Sequence, residues 1–418
     1  MKPDTIAEMA GAVPAKTFPV PADSFPGSAN SLPVTLKSFT VPVHTRPAYE
    51  VRIGPGLLFS CGEILREVLP SRRAAVVTDS TVGPLYLDRV RQSMERAGFS
   101  VCTCTFPAGE EHKNLETLGD ILDALGSARL TRADALLALG GGVVGDMAGF
   151  AAAVYLRGIR YVQLPTTLLS AVDSSVGGKT AVDLRAGKNL AGAFLQPAAV
   201  LCDTDCLSTL PPDTLADGAA EAVKTGVLEG EDLFSRLERG NLLAQETRTE
   251  NGTSAERENL QENGAQLKQG ALSPDVPELI ARCVAYKAGV VERDEREQNE
   301  RRLLNLGHTV GHAIEKCSHY EIPHGHAVAA GLGVIARASA ALGWSDAGTA
   351  ARIVRCLERY GLPAGTDFPA EDLAEAALSD KKRAGDAFTL AVPEKIGRCV
   401  LRTIPVTDLP SVIRAGLS

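Results

Sequence analysis

The chain has 418 residues, of which 44% are hydrophobic and 22% are charged, a composition typical of globular proteins with about two or three domains. Its net charge of −8 argues against a nucleic-acid or anionic-membrane partner, because both require a basic surface. No uninterrupted apolar run reaches the roughly 18 residues that span a bilayer. The nine scattered cysteines indicate reduced thiols and therefore a cytoplasmic location.

The first half of the chain has the pattern of a nucleotide-binding α/β domain. Residues 1–37 are rich in Pro, Ser and Ala without periodicity, so we predict a disordered tail there. Strand and helix patterns then alternate, which predicts a parallel sheet in a Rossmann-like domain over residues 38–212. The strand patterns lie at 39–43, 49–53, 74–78, 101–106 and 135–139, and the helix patterns at 85–97 and 147–155.

The second half has mainly helical patterns. They predict a mostly α-helical domain over residues 213–418 that binds metal and substrate, with two short strands at 388–392 and 399–401. The segment 245–275 is polar and has too few apolar residues to pack, so we predict a mobile insert. The predicted helices lie at 215–237, 276–296, 308–318, 327–342 and 349–360.

A glycine loop stands between a predicted strand and a predicted helix. Gly140, Gly142 and Gly145 fit the spacing G-x-G-x-x-G, which allows a pyrophosphate to approach a helix N-terminus. No acidic residue follows about 20 positions later to hold a ribose, but Asp79 could do so from an earlier strand. The motif predicts dinucleotide binding, and a tight strand-to-helix turn is the structural alternative.

A second glycine pair precedes several polar residues. Gly177 and Gly178 are followed by Lys179, but Asp173 stands where a nucleoside-triphosphatase loop needs its first glycine, so that pattern fails. The remaining turn, together with Lys188 and Asn189, could hold a small phosphate or carboxylate. A solvated loop is an equally good interpretation of these residues alone.

Histidines later in the chain have the spacing of a metal site. His308 and His312 are four residues apart, so they share one face of a helix. With His324 and Glu221, three of these side chains could bind a divalent metal and leave a position open for substrate. His326 is a further candidate ligand. An ordinary packing role for the histidine pair remains open at this point.

Together these motifs resemble the 3-dehydroquinate synthases, within the wider sugar phosphate cyclases. The resemblance extends from about residue 39 to residue 401. It implies conversion of 3-deoxy-D-arabino-heptulosonate 7-phosphate to 3-dehydroquinate and phosphate, in the shikimate pathway. The implied steps are transient oxidation by NAD, phosphate elimination, reduction, ring opening and intramolecular aldol closure. The matching segments are 140–146, 164–167, 173–180, 188–197, 221–226, 305–315 and 324–331.

The resemblance also implies which residues hold the metal and the cofactor. Glu221, His308 and His324 would bind zinc or cobalt, with His312 close to the reacting centre. The NAD site would be lined by Asp79, Gly109, Glu110, Lys113, Gly141, Gly142, Gly145, Asp146, Thr166, Thr167, Lys179 and Lys188.

For the substrate, the resemblance implies a local basic cluster, which an acidic protein needs to bind a small anionic sugar phosphate. Arg157 would reach into the neighbouring subunit's site, which implies a homodimer. The residues around the substrate would be Lys179, Asn189, Lys224, Lys287, Arg301, Asn305 and one lysine of the pair Lys381/Lys382, for which we take Lys381.

One position departs from the family pattern, and two alternative functions compete. His326 stands where the family commonly has glutamate, and we expect it beside the metal ligands or without a role. A cyclase of the 2-epi-5-epi-valiolone type or one acting on glucose 6-phosphate would use a sugar without a carboxylate, yet Lys287 and Asn305 are retained. An iron-type polyol dehydrogenase would have no use for the basic cluster.

Overall fold

The computed structural model describes residues 37–240, 273–380 and 386–417. The predicted tail at 1–37, apart from its last residue, therefore lies outside the described residues. The same holds for Lys381 and for the predicted insert at 245–275, apart from residues 273–275. In the ranges described, no helix combines the length and apolar character needed to cross a membrane.

Seven strands form one sheet, in the order β1-β2-β9-β6-β5-β3-β4. Every neighbouring pair is parallel except β1 and β2. This confirms the α/β class with a mainly parallel sheet. The strands of the described chain are β1 (Phe39–Val43), β2 (Tyr49–Gly54), β3 (Arg73–Asp79), β4 (Ser100–Phe106), β5 (Ala135–Gly140), β6 (Arg160–Pro165), β7 (Lys179–Leu184), β8 (Gly187–Phe194), β9 (Ala199–Asp203), β10 (Ala387–Lys395) and β11 (Arg398–Pro405).

Helices connect the strands and make up most of the second half. They are α1 (Leu57–Val68), α2 (Gly83–Arg96), α3 (Leu115–Ser127), α4 (Gly142–Val154), α5 (Pro212–Glu229), α6 (Glu231–Arg239), α7 (Val276–Arg293), α8 (His308–Cys317), α9 (His324–Ala341), α10 (Ala347–Arg359), α11 (Ala370–Asp380) and α12 (Leu409–Leu417). The helix predicted at 215–237 is two helices, because Gly230 adopts φ +142° between them, a backbone conformation that favours glycine.

Two antiparallel hairpins lie outside the main sheet. β10 pairs with β11, which confirms the two strands predicted near the end. β7 pairs with β8, where the sequence analysis predicted only a glycine turn with polar residues. Lys179 opens β7, and Lys188 and Asn189 lie near the start of β8. The hairpin therefore holds these three side chains on ordered strands.

The apolar core has three parts. On one face of the sheet, α1 and α2 bury residues such as Leu65 and Met94, and on the other α3 and α4 bury residues such as Ile121 and Met147. The third and largest part joins β1, β2 and β9 to the helices that follow residue 212. The edge of the sheet thus shares one core with the helices that carry the candidate metal ligands.

Candidate functional site

The glycine loop lies at the carboxyl end of β5 and runs directly into α4. The helix begins at Gly142, five residues earlier than predicted, so Gly145 and Asp146 belong to its first turns. A Cβ on Gly141 would lie 3.1 Å from the Thr167 methyl, and one on Gly145 would lie 2.8 Å from Gln163 Oε1. The two glycines therefore let the loop and the first turn of α4 lie close to the residues of β6 and the segment after it. No side chain caps the helix, so its first N–H groups can bind an anion.

The threonines at the end of β6 border this loop. The backbone N–H of Thr166 donates to the Gly140 carbonyl at 3.0 Å, which closes the loop against the neighbouring strand. The Thr166 hydroxyl is buried and has no hydrogen-bond partner among the residues that the structure describes. A buried hydroxyl without a partner is costly, so Thr166 is a good candidate to contact a ligand at the loop.

A buried lysine joins three of the predicted NAD-lining segments. Lys113 is 5% exposed, and its Nζ lies 2.6 Å from Asp146 Oδ2 and 3.9 Å from Glu110 Oε1. It also donates to Asn189 Oδ1 at 2.7 Å. Burial lowers the pKa of Lys113, but Asp146 and Glu110 outweigh it, and the net shift is upward. The lysine stays charged and holds α4 against the β7–β8 hairpin.

Two predicted residues stand apart from this cluster. Asp79 Oδ1 accepts hydrogen bonds from the N–H groups of Thr81 and Val82, both at 2.8 Å. One of its two carboxylate oxygens therefore stabilises the turn before α2. Arg157 is exposed. It follows the C-terminal end of α4, whereas the glycine loop lies at the N-terminal end of that helix. Thirteen helical residues separate the two ends by about 20 Å.

The predicted metal ligands meet between three helices. Glu221 comes from the middle of α5, His308 from the start of α8 and His324 from the start of α9. His308 Nε2 lies 3.4 Å and His324 Nε2 3.6 Å from Glu221 Oε1, and one ligand atom from each residue lies within 4.8 Å of the others. One carboxylate and two imidazoles form a donor set typical of catalytic divalent metals.

His312 lies beside the three ligands, one turn after His308 on α8. Its ring centroid is 5.4 Å from that of His308 and 5.8 Å from that of His324. The structure therefore brings all four predicted residues together.

The charges around the ligands suit a cation. Burial lowers the pKa of His308 to about 3, which keeps its ring neutral and able to ligate. Burial opposes ionisation of Glu221, but Lys224 and a hydrogen bond with His324 outweigh it and hold the pKa of Glu221 well below its usual range. Burial also opposes a charge on His324, yet Glu221 and Glu315 raise its pKa to about 10. The pocket therefore strongly favours positive charge.

Two buried lysines border the metal ligands. Lys224 Nζ forms an ion pair with Glu221 and lies 3.8 Å from Asp173 Oδ1. Lys287 Nζ lies 3.0 Å from the same carboxylate oxygen. Burial raises the pKa of Asp173, but the two lysines outweigh it and the net shift is downward. Asp173 was not predicted, because it was considered only as the residue that breaks a phosphate-loop pattern.

A second polar cluster continues from Asp173 along the same loop. Arg301 is 2% exposed and donates to the Gly177 carbonyl at 2.9 Å. Asn305 Nδ2 donates to Glu297 Oε1 at 2.5 Å, and Lys179 forms an ion pair with the same carboxylate. The structure thus brings these predicted substrate residues together. Glu297 was missed because it lies in the charged run 292–301, which has the composition of a solvated surface.

A third carboxylate was also missed. Glu315 is 3% exposed, and its Oε1 lies 3.0 Å from Lys188 Nζ while its Oε2 lies 3.3 Å from His324 Nδ1. Burial raises the pKa of Glu315, but His324 and Lys188 outweigh it and lower the pKa to about 2. The spacing could have found it, because residues 308, 312 and 315 share one face of a helix.

His326 lies near the metal ligands but pairs with a different carboxylate. Its backbone N–H donates to Asp217 Oδ1 at 2.9 Å, and its Nδ1 lies 3.0 Å from the same oxygen. It is absent from the groups of described residues that could hold a metal. This position agrees with the expectation that His326 lies beside the ligand set and does not complete it.

Comparison with known proteins identifies the same family across most of the chain. A family model described as 3-dehydroquinate synthase N-terminal matches residues 103–217, and one described as 3-dehydroquinate synthase C-terminal matches residues 218–383. The 3-dehydroquinate synthase of Latilactobacillus sakei subsp. sakei is 41% identical over 371 residues, covering 88% of this chain and 96% of that protein. The enzyme of the same name from Lactiplantibacillus plantarum is 41% identical over 373 residues, with the same coverage.

Solved structures of two cyclases are also similar. A 2-deoxy-scyllo-inosose synthase complexed with carbaglucose-6-phosphate, NAD+ and Co2+ is 26% identical with a TM-score of 0.73, covering 90% of this chain and all of that one. The 2-epi-5-epi-valiolone synthase of Streptomyces hygroscopicus subsp. jinggangensis, with NAD+ and Zn2+ bound, is 25% identical with a TM-score of 0.74, covering 88% and 96%. A probable glycerol dehydrogenase from Sinorhizobium meliloti, at 19% identity and a TM-score of 0.58, shares the fold alone.

Proposed function

The chain belongs to the 3-dehydroquinate synthase family, and on that premise we propose which of its residues carry out each part of the reaction. As an enzyme of this family it is a lyase of the shikimate pathway, and it converts 3-deoxy-D-arabino-heptulosonate 7-phosphate to 3-dehydroquinate and phosphate. The observation that carries the proposal is the set Glu221, His308 and His324, in which Glu221 contacts Lys224, while Lys224 and Lys287 share Asp173.

Glu221, His308 and His324 hold a divalent ion, which we take to be zinc, with cobalt as the alternative. The neutral ring of His308 and the ionised, buried carboxylate of Glu221 support this. Related cyclases also support it, since their structures hold Zn2+ or Co2+. A bound divalent ion polarises a substrate hydroxyl and stabilises the alkoxide. Lys224, in contact with Glu221, adds positive charge on the same side of the pocket.

The carboxyl edge of the sheet would hold NAD, which would supply reversible hydride transfer from and to the substrate. The uncapped N-terminus of α4 at Gly141 and Gly142 faces its phosphates, and the partnerless hydroxyl of Thr166 lies beside the same loop. Lys113 and Asp146 hold this loop to the β7–β8 hairpin. The cyclases with NAD+ bound share the fold.

The substrate carries a carboxylate and a phosphate, and the site offers cations for both. We assign Lys287 and Lys224 to the end nearest the metal ligands, and Lys179, Arg301 and Asn305 to the other end. In the structure Lys224 contacts Glu221, and Lys287 contacts Asp173. Lys179 contacts Glu297, and Arg301 donates to a backbone carbonyl. An anionic substrate group takes over part of these contacts.

His312 lies next to His308 and His324. We assign it to proton transfer at the reacting carbon or oxygen, which requires a group within hydrogen-bond reach of the substrate. The described residues of α8 hold no other histidine outside the ligand set.

The proposed assembly is a homodimer in which Arg157 completes the partner's site. Its place about 20 Å along α4 from the glycine loop and its exposed side chain support a contact outside its own subunit. The proposed domains are residues 38–212 and 213–418. All nine cysteines are unpaired, which supports a reducing compartment such as the cytoplasm.

Metal removal and reconstitution test this proposal. Protein stripped with a chelator should lose phosphate release from the substrate and regain it with one equivalent of Zn2+ or Co2+. The Glu221→Gln variant should not regain phosphate release with one equivalent of metal, because the amide supplies a weaker, uncharged ligand. Full activity in the stripped protein would overturn the assignment of the metal site.

A further inference from the structure

Glu315 connects the predicted cofactor side of the site to the metal side. Its two oxygens have different partners, Lys188 Nζ at 3.0 Å and His324 Nδ1 at 3.3 Å. Lys188 belongs to the β7–β8 hairpin, and it and Glu315 are 127 residues apart in sequence. Glu315 is buried on α8, the helix that also carries His308. A single carboxylate thus bridges two segments that bind different groups.

The contact with His324 fixes which ring nitrogen faces the metal. With Nδ1 hydrogen-bonded to the Glu315 carboxylate, Nε2 lies toward Glu221 and is the nitrogen that would give up its proton to bind a metal. A carboxylate on the outer nitrogen of a ligating histidine orients the ring and raises its basicity. The strength of that effect depends on how much negative charge Glu315 directs at His324.

Lys188 competes for the same negative charge. Its ammonium group contacts Glu315 Oε1 at 3.0 Å. The same group lies 3.6 Å from Glu110 Oε1 and 4.6 Å from the centre of the Tyr320 ring. A strong hydrogen bond to one oxygen of a carboxylate weakens the acceptor at the other. Any ligand that draws Lys188 toward itself therefore makes Glu315 a better acceptor for His324.

We propose that Glu315 is a positioning residue that couples nucleotide binding to metal binding through the contacts Lys188–Glu315–His324. The proposal rests on the functional assignment above, which puts the metal on His324, and on the family resemblance, which implies that Lys188 lines the NAD site. When the nucleotide engages Lys188, Glu315 directs more charge at Nδ1, and Nε2 binds the metal more tightly. By thermodynamic linkage, bound metal tightens nucleotide binding by the same factor.

The test is the zinc affinity of the full-length protein, measured by competition with a chromophoric chelator, without and with saturating NAD+. The wild-type protein should bind zinc at least about five-fold more tightly with NAD+ present. The Kd of NAD+, measured with and without zinc, should change by the same factor. These are binding measurements and need no turnover.

Three variants locate the coupling. Glu315→Gln should lower zinc affinity about 10–100-fold. It should also bring the ratio of the zinc affinities measured with and without NAD+ to one. Lys188→Met should also bring the ratio to one, and the double variant should show no further change in it. Glu321→Gln, an exposed carboxylate close to His324 in sequence, is the matched control and should keep the wild-type affinity and ratio.

The outcomes separate this proposal from the functional assignment. Wild-type protein that fails to bind zinc or NAD+ would contradict the assignment itself. Protein that binds both with a ratio of one, or with zinc weakened by NAD+, would overturn the coupling alone. A Glu315→Gln variant that keeps the wild-type ratio would do the same. If that variant does not fold, the ratio measured in Lys188→Met decides the question.

Discussion

The crossing of α8 and α9 sets the distance between metal ligands, and one glycine controls it. Gly331 on α9 packs against the start of α8, where a Cβ would lie 2.2 Å from the Gly307 carbonyl oxygen and 2.6 Å from Gly311 N. Gly307 directly precedes His308. Gly331→Ala therefore tests the metal site through a residue that is not itself a ligand.

The size of the effect follows from the contact. Because nonbonded atoms need about 3.4 Å or more, the helices must separate by about 1 Å to admit the methyl group. Metal–ligand distances tolerate only about 0.2 Å. We expect a loss of about 1–3 kcal/mol of stability from overpacking and a loss of activity of about 100-fold from the displaced ligand.

The control is the same substitution where there is room. Gly119 lies in α3, and a Cβ added there would have no neighbouring atom within 4 Å, so Gly119→Ala should gain about 0.5–1 kcal/mol of stability and keep full activity. Urea unfolding, chelator competition and phosphate release measure the three effects. A Gly331→Ala variant with wild-type metal affinity and activity would refute the argument that this crossing positions the ligands.

Three further predictions follow from other contacts. Lys287→Met should raise the KM for the carboxylate-bearing substrate about 10–100-fold, the loss of one charged hydrogen bond; an unchanged KM would remove Lys287 from substrate recognition. Mixing the inactive variants Arg157→Ala and Glu221→Gln should restore partial phosphate release, because mixed dimers contain one intact site; no recovery would place Arg157 outside the partner's site. Burial raises the pKa of Asp134, but hydrogen bonds from Ser71 and Thr131 outweigh it and lower it below its ordinary 3.8. The ionised carboxylate therefore stabilises the fold above about pH 3.8, and this stabilisation decreases as the pH falls. In Asp134→Asn the free energy of unfolding should therefore change less with pH than in the wild-type protein, as measured by urea unfolding from about pH 2.5 to 6.

The parallel sheet and the metal ligands could be predicted because each has a local pattern. The run 135–140 is buried along its whole length, as a central parallel strand must be, and the glycines after it mark the turn into α4. His308 and His312 share a helix face by spacing alone. Glu221 was named as one of several possible ligands, and only the family resemblance assigned it to the metal, because nothing local distinguishes a glutamate in an alanine-rich helix.

The missed features depend on tertiary contacts. Each face of the β7–β8 hairpin mixes apolar residues with polar or small ones, so alternation of apolar residues marks its strands only weakly. Asp173 and Glu297 have unremarkable sequence neighbours, and only the fold places lysines against them. Asp79 was named as a possible ribose ligand, and in the structure one of its carboxylate oxygens accepts hydrogen bonds that stabilise a turn, a role that the sequence did not indicate.

The most direct test of the central claim is phosphate release from 3-deoxy-D-arabino-heptulosonate 7-phosphate with NAD and zinc, measured beside sedoheptulose 7-phosphate. The absorbance of NADH is recorded in both reactions. We expect release from the first sugar alone, with no accumulation of NADH, because the hydride returns to the substrate. Release only from the second sugar, or NADH accumulation without phosphate, would contradict the account.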